Sequence, residues 1–356
     1  VYSSLINNYI NNNEFSGAAL AVSYRGKQVI EHYAGFAAPD LPSGPNVLWT
    51  LASISKLYTA AMVMRLVEEG MMTLNMRVCD VIPQFIGGYR EEIRLRHLLT
   101  HTSGLIYESP QMEERLKAHT PLDELMREAY SAPLLFRPGT QQLYGDYNFL
   151  IAAAMAQTIM NTPFPQLVQE QVLEPAGLNN TFMPPPPSEY GRINKTKGVQ
   201  AEGTDGAMYN SAYGLSLAHP AFGTVATVND LMRFGMLFSP SGMPIHNRHT
   251  LHAMTTDHTG GSTPGGDIFL AGLHPNTPIP WGLGFFLQTP QLTSMMSDLA
   301  PIGSFGHGGA TGATLIIDPV NDIVIAFVSN AHVSLGLERW RFRLDTICNS
   351  VYGAID

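Results

Sequence analysis

Gly17-Ala18-Ala19-Leu20-Ala21-Val22-Ser23-Tyr24-Arg25-Gly26-Lys27-Gln28-Val29-Ile30-Glu31-His32-Tyr33-Ala34 is the stretch from which the fold is read. Small and apolar residues alternate from Ala18 to Tyr24, Arg25-Gly26-Lys27 makes a turn, and Gln28 to Ala34 resumes as a strand. That pattern predicts a β-hairpin and the start of an antiparallel sheet. The far end of the chain answers it. Gly282 to Leu287, Ala313 to Ile317 and Ile323 to Ser329 read as strands, the last two joined by the turn Asp318-Pro319-Val320-Asn321-Asp322, and Leu335 to Tyr352 reads as a closing helix.

Between the two ends the periodicity changes. From Ser53, apolar Leu57, Ala61 and Met64 recur at helical spacing, Glu68 and Glu69 follow, and Gly70 supplies a stop. Helical segments dominate from about residue 80 to residue 210, interrupted by Pro184 to Pro187, whose fixed φ and missing donors exclude helix and central strand. The expected architecture is α/β: residues 1–80 and 211–356 form an antiparallel sheet flanked by helices, residues 81–210 an inserted helical domain, with a cleft between them.

The bulk numbers bound the function. With 356 residues, 45% hydrophobic and 14% charged, the chain can bury a large core. A net charge of -9 provides no basic stripe for phosphates, which argues against nucleic acid and anionic membranes as partners and for a small or peptide-like substrate. No apolar run reaches the roughly 20 residues of a membrane helix. Cys79 and Cys348 are too few for a disulfide framework or a metal set, although one bridge between them is open. Val1-Tyr2-Ser3-Ser4 shows no basic-then-apolar leader, so a signal peptide is expected to be cleaved or never present.

Three short elements carry chemistry. Ser53-Ile54-Ser55-Lys56 puts a hydroxyl and an amine three residues apart on one helix face, near the partial positive charge of the helix start. A neighbouring amine of lowered pKa can activate a serine, but the same spacing arises by chance in many helices, with Ser53 as a mere N-cap. Tyr144-Gly145-Asp146 precedes a helix, and a phenol beside an ammonium can move protons, although the chain holds 14 tyrosines. Gly306-His307-Gly308-Gly309-Ala310-Thr311-Gly312 reads as a glycine-rich loop beside a strand, where substrate can approach backbone N–H groups.

Occurring together and in this order, these elements resemble those of the class C β-lactamases, D-alanyl-D-alanine peptidases and their family VIII esterase relatives. Further matching stretches are Gly17 to Val22, Leu98-Leu99-Thr100-His101-Thr102-Ser103-Gly104-Leu105, Pro138-Gly139-Thr140, Leu173 to Leu178 and Trp281-Gly282-Leu283-Gly284, so the resemblance spans nearly the whole chain. It implies Ser53 as nucleophile, Lys56 and Tyr144 as acid/base pair, and the N–H groups of Ser53 and Ala310 as an oxyanion hole. Asp146, His307, Gly308, Gly309 and Trp281 would contact a small ester, amide or lactam. No metal or organic cofactor is implied, and His101 belongs to a structural signature. Trp281 reads equally as pocket lining or core. Asn179-Asn180-Thr181 and Asn194-Lys195-Thr196 match the glycosylation pattern.

Two positions depart from the family. Where those β-lactamases carry Tyr-x-Asn and Lys-Thr-Gly, this chain has Asp146 and His307. An ionised carboxylate cannot donate to an acylamino group, and a neutral histidine lacks the cation that attracts a lactam carboxylate. Both changes favour a neutral ester, so carboxylesterase is the leading expectation, with β-lactamase, D-amino-acid peptidase or amidase, and acyltransferase as alternatives. Asp146 near Lys56 would also hold the ammonium charged, shifting the role of base toward Tyr144. A non-catalytic ligand sensor on the same fold is the competing class, against which the intact Ser53, Lys56 and Tyr144 argue.

Overall fold

The computed structural model describes residues 1–198, 207–260, 279–290 and 297–355. The expected hairpin is present as β1 (Gly17–Tyr24) and β2 (Lys27–Ala38), paired antiparallel with Gly17 opposite Gly35 and a register shift after Val22. Next come β3 (Leu41–Pro42), β4 (Trp49–Thr50), β5 (Thr181–Phe182), β6 (Val225–Ala226) and β7 (Phe286–Leu287), then β8 (Phe305–Gly309), β9 (Ala313–Asp318) and β10 (Ile323–Ser329). The main sheet runs β3-β2-β1-β10-β9-β8-β7, so the first hairpin sits directly on the last strand, Ala18 facing Ser329. Chain ends far apart in sequence thus make one antiparallel sheet.

Both faces of that sheet are covered, which explains why β1 is small or apolar at nearly every position. Ala18, Leu20 and Val22 point to a core shared with Phe327, Trp340 and Ile347, whereas Ala19 and Ala21 point to the larger core with Leu315, Ala326 and Val328. The period of two assigns alternate residues to opposite layers. The first layer is built by helices α1 (Tyr2–Asn11) and α5 (Leu337–Tyr352), and the second includes α2 (Ser55–Glu68) and α4 (Val228–Met236). Between them in sequence lies α3 (Asp146–Met160), which is nearly all apolar and packs against α2. Each fully buried Val, Leu, Ile or Phe contributes about 1.5–3 kcal/mol, so this double-sided burial is the main source of stability. α4 approaches the sheet through Gly235, where a Cβ would come within 2.6 Å of Val324.

A second sheet, ordered β4-β6-β5, sets the register of the site. Pairing Thr50 with Val225 brings the segment before Ser53 alongside residues 218–224, and the Leu51 N–H donates to the Thr224 carbonyl at 3.0 Å. Asn194 closes this sheet from the side. Fully buried, it accepts the Thr50 N–H at 2.8 Å and is closed to modification, whereas Asn179 is exposed.

Three local expectations are corrected. The strand expected over 282–287 is confined to Phe286–Leu287, because Gly284 turns at φ +93 and the Gly282 N–H folds back onto the Phe285 carbonyl. Gly306 to Gly309, expected as a loop, are strand β8 paired with β9, and the glycines serve the chain's own close packing. A Cβ on Gly306 would meet the Leu315 carbonyl at 2.0 Å, one on Gly309 the Leu51 carbonyl at 2.2 Å, and one on Gly308 the Trp340 ring at 2.9 Å. Cys79 and Cys348 are both free thiols. No helix among the described residues is long and apolar enough to cross a membrane.

Since the Gly306 neighbour is backbone, it cannot swing aside. Gly306→Ala is therefore expected to cost ~1–3 kcal/mol in denaturant unfolding, as overpacking does. Gly191→Ala, with nothing within 4 Å of the added methyl, should leave the midpoint close to the parent's.

Candidate active site

Ser53 lies in a single 3₁₀ turn, Ala52–Ile54, that leads directly into α2. The residue before it, Ala52, is fully buried with φ +46, a left-handed conformation that an alanine holds only when its surroundings enforce it. The enforcing contacts are visible: β8 presses on Leu51 through Gly309, and the Thr311 hydroxyl donates to the Thr50 carbonyl at 2.5 Å. Ser53 is half-buried, and Lys56 is fully buried one turn on.

The Lys56 ammonium has Asp146 Oδ1 at 2.6 Å, Ser53 Oγ at 3.3 Å and the Ala221 carbonyl at 3.3 Å. It also lies 4.7 Å from the centre of the Tyr144 ring. Burial alone would pull its pKa down, but the charge of Asp146, then that of Tyr144, and hydrogen bonds to both leave it raised above 10.5. Tyr144 is buried too. Burial raises its hydroxyl, the Lys56 charge opposes that, Asp146 adds to it, and hydrogen bonds with Lys56 and Ser53 lower it, for a net rise. Ser53 and Lys56 therefore share one hydrogen-bonded cluster with Tyr144, which lies far from them in sequence.

Asp146 opens α3, and its N–H and that of Tyr147 both donate to the Tyr107 carbonyl. Of the two neighbours weighed for this carboxylate, substrate and Lys56, it faces Lys56, with only 7% of its side chain exposed. Tyr144 is fixed from both sides by His101: the His101 carbonyl accepts the Leu143 N–H at 2.8 Å, and His101 Nδ1 accepts the Gly145 N–H at 3.3 Å. His101 ring contacts reach Tyr144 at 4.6 Å and Trp281 at 4.5 Å, so the structural role read for it agrees with its position. Trp281, 1% exposed, stacks behind Tyr144 at 5.8 Å.

His307 stands on β8 with its ring 4.8 Å from Phe286 and 6.0 Å from Tyr144. Its Nδ1 donates to the Gly308 carbonyl at 2.6 Å, since a carbonyl can only accept. Burial and then the Lys56 charge, partly offset by that hydrogen bond, bring its pKa down to about 3, so the ring is neutral at pH 7. Ala310 follows at the turn into β9 and is half-buried. Gly308 and Gly309 serve Trp340 and Leu51, as described above. Among the described residues no group of three or more His, Cys, Asp or Glu has the geometry to hold a metal.

Sequence reasoning missed two contributors. Asn148 receives the Ser103 hydroxyl on Oδ1 at 2.6 Å and donates from Nδ2 to His101 Nδ1 at 3.1 Å, tying the His101 segment to α3. The segment 218–224 supplies the carbonyl on Lys56. Its signal was modest: His219-Pro220-Ala221-Phe222-Gly223 is a short Pro and Gly punctuated run with no catalytic pattern.

Fold and site define a β-lactamase-like class, and comparison with known proteins agrees. The model of the Beta-lactamase family matches residues 3–346, and the chain belongs to that family, whose members include carboxylesterases, β-lactamases and D-alanyl-D-alanine peptidases. A β-lactamase of Yersinia enterocolitica is 26% identical over 236 residues, 65% of this chain and 57% of that protein, so the chain spans less than two thirds of its length. Among solved structures, a family VIII carboxylesterase superposes with a TM-score of 0.81 at 20% identity, covering 99% of this chain and 96% of that one. EstCE1, described as a hydrolase with promiscuous acyltransferase activity, gives 0.80 at 18% identity, covering 98% and 97%. At these identities the structures speak for the fold.

Removing one member of a buried ion pair strands the other. Lys56 has a folded pKa above its unfolded 10.5, so pairing stabilises fully below pH 10.5 and fades as pH rises through the folded value. Asp146→Ala should therefore lower unfolding free energy at pH 7 by ~3–5 kcal/mol, with a smaller difference from the parent well above pH 10.5. Urea titrations of both proteins at the two pH values measure this.

Proposed function

We propose that the chain is a serine hydrolase that cleaves small neutral esters through an acyl-enzyme on Ser53, with carboxylesterase as its main activity. The observation that carries this reading is the Ser53–Lys56–Tyr144 cluster, closed by Asp146 and flanked by a histidine that is neutral at pH 7.

In this reading Tyr144 takes the Ser53 proton as the hydroxyl oxygen attacks the ester carbonyl. The reactive form carries Tyr144 as the phenolate, which the Lys56 ammonium, held charged by Asp146, stabilises; taking the Ser53 proton returns it to the neutral phenol, and the burial that raises the tyrosine pKa makes it a strong base. The N–H groups of Ser53 and Ala310 receive the oxyanion, the first lying beside the start of α2. Tyr144 then returns the proton to the departing alkoxide, and water or a second alcohol, activated in the same way, releases the acid or a new ester. The close approach of Gly309 on β8 to Leu51, just ahead of Ser53, supports this pairing, since Ala310 directly follows that strand. The cleft between the sheet built by residues 1–80 and 211–356 and the helical residues 81–210 is the proposed substrate entry.

His307 supports the choice of substrate. A β-lactam carboxylate gains about 1.5–3 kcal/mol from one charge-assisted hydrogen bond, and a neutral ring with its only N–H committed to Gly308 offers none. An ester without a carboxylate loses nothing there.

Two outcomes are expected. Tyr144→Phe should reduce kcat by on the order of 10²-fold or more with little change in KM, as loss of a proton-transfer group does; parent-like turnover across the pH range would remove Tyr144 from the mechanism. Steady-state assays should also give a kcat/KM for p-nitrophenyl butyrate at least about tenfold above that for benzylpenicillin, the factor one missing charge-assisted hydrogen bond is worth. A reversed order would show that a cation reaches the lactam from elsewhere in the site.

A further inference from the structure

The Ala221 carbonyl is the backbone acceptor on Lys56, and its direction is set by the segment 218–224. That segment is docked on the start of α2 at several points. The Thr59 hydroxyl, one turn beyond Lys56, donates to the Pro220 carbonyl at 2.7 Å, and Ser55 Oγ accepts the Thr224 N–H at 2.9 Å. Within the segment one side chain closes the turn. His219 Nδ1 accepts the Ala221 N–H at 3.2 Å, while its carbonyl accepts the N–H groups of Phe222 at 3.1 Å and Gly223 at 2.8 Å. Its ring lies flat on Phe222, 3.8 Å between centroids at 3°, and the residue is 1% exposed. Ala218 before it takes φ +52, a conformation costly for alanine unless the turn is held from both sides.

We infer that His219 is a positioning residue for the reaction: its ring grips the Ala221 N–H while its carbonyl holds the Phe222 N–H, which shares a peptide plane with the Ala221 carbonyl, and the two together turn that carbonyl onto the Lys56 ammonium and so fix the ammonium between Asp146 and Ser53. The inference rests on the reading that Lys56 and Tyr144 serve Ser53. A backbone N–H can only donate, so Nδ1 must carry a lone pair and the ring must be neutral. Burial, and secondarily the Lys56 charge, keep the His219 pKa well below 6.5, in agreement with that tautomer. Protonation would break the grip and put a second cation beside the first.

Among the described residues, the titratable groups that face Lys56 are Asp146 at the start of α3, Tyr144 just before it, His307 on β8, His101 and His219. Against that background the Ala221 carbonyl favours the ammonium, because an acceptor stabilises the charged form. Without it, the ammonium turns the freed N–H to the Tyr144 oxygen, which favours the phenolate, so the first proton leaves the coupled Lys56–Tyr144 pair at lower pH. Loss of packing alone would reduce the amount of folded enzyme and leave the pH dependence in place.

The test is the pH dependence of kcat/KM for p-nitrophenyl butyrate in the parent, His219→Leu and His219→Asn, with thermal unfolding of each. His219→Leu keeps apolar bulk against Phe222 but has no acceptor; it should move the acidic limb down by about one pH unit, the tenfold change one charge-assisted hydrogen bond is worth. His219→Asn can accept the Ala221 N–H and should restore the limb to within a few tenths of a unit of the parent's. Thr59→Val, which releases the same segment at its Pro220 anchor without touching His219, should shift the limb in the same direction and supplies the result if His219→Leu does not fold. An acidic limb unmoved in His219→Leu, or in Thr59→Val should that alone fold, overturns the inference while the hydrolase reading stands. A parent with no ester turnover overturns both.

Discussion

An ammonium with no access to water is the constraint around which this structure is arranged. Moving such an ion out of solvent costs several kcal/mol even after the surroundings relax, and the cost is offset only where good acceptors meet it on several sides. Lys56 has them from separate parts of the chain: Ser53 from its own turn, Asp146 from the start of α3, and Ala221 from the segment that leads into β6. Each acceptor fixes its element. α3 must begin where its first carboxylate reaches α2, and the 218–224 segment must lie across the Lys56 and Thr59 face of that helix. The proposed chemistry and the architecture therefore share one set of contacts.

The second constraint is steric. β8 passes so close to the segment before Ser53 that Gly309 has no room for a side chain, and Ala52, just ahead of Ser53, adopts a left-handed backbone. Strain at such a position persists only because the surroundings over-determine it. Here they do so through the β4–β6 pairing, the Thr311 to Thr50 hydrogen bond and the burial of Ala52 itself. The glycines of 306–309 belong to this packing. They let two strands and a turn close over the site, with His307 as the one large side chain among them.

Much of this was legible in the sequence where the signal is local. The alternation of Ala18 to Tyr24, the turn at 318–322 and the helix from Ser53 to Gly70 appear where expected, because a period of two or of 3.6 is written in adjacent residues. Ser53 and Lys56, Tyr144 and His307 lie close together in the structure. What could not be read is what long-range contact decides. In the sequence Asp146 can meet either substrate or Lys56, and only the contact across 90 residues of chain decides between them. The strand character of Gly306 to Gly309 comes from β9, against the low strand preference of glycine. His219 carries no motif at all, and its contribution runs through a backbone carbonyl that sequence patterns do not encode.

The neutral state of the buried histidines extends the same logic. His101, His219 and His307 all lie in the field of Lys56, and in each burial comes first in lowering the pKa, with the ammonium next. A site with one fixed cation, its carboxylate partner and rings without charge suits a reaction whose substrate is uncharged and whose intermediate is a covalent ester. The most direct test is intact-mass spectrometry on protein acid-quenched during turnover of p-nitrophenyl butyrate, followed by peptide mapping. The account predicts a single butyryl group on the peptide containing Ser53, and neither adduct nor turnover in Ser53→Ala. Continued turnover by Ser53→Ala, or an acyl group mapped to another residue, would contradict it.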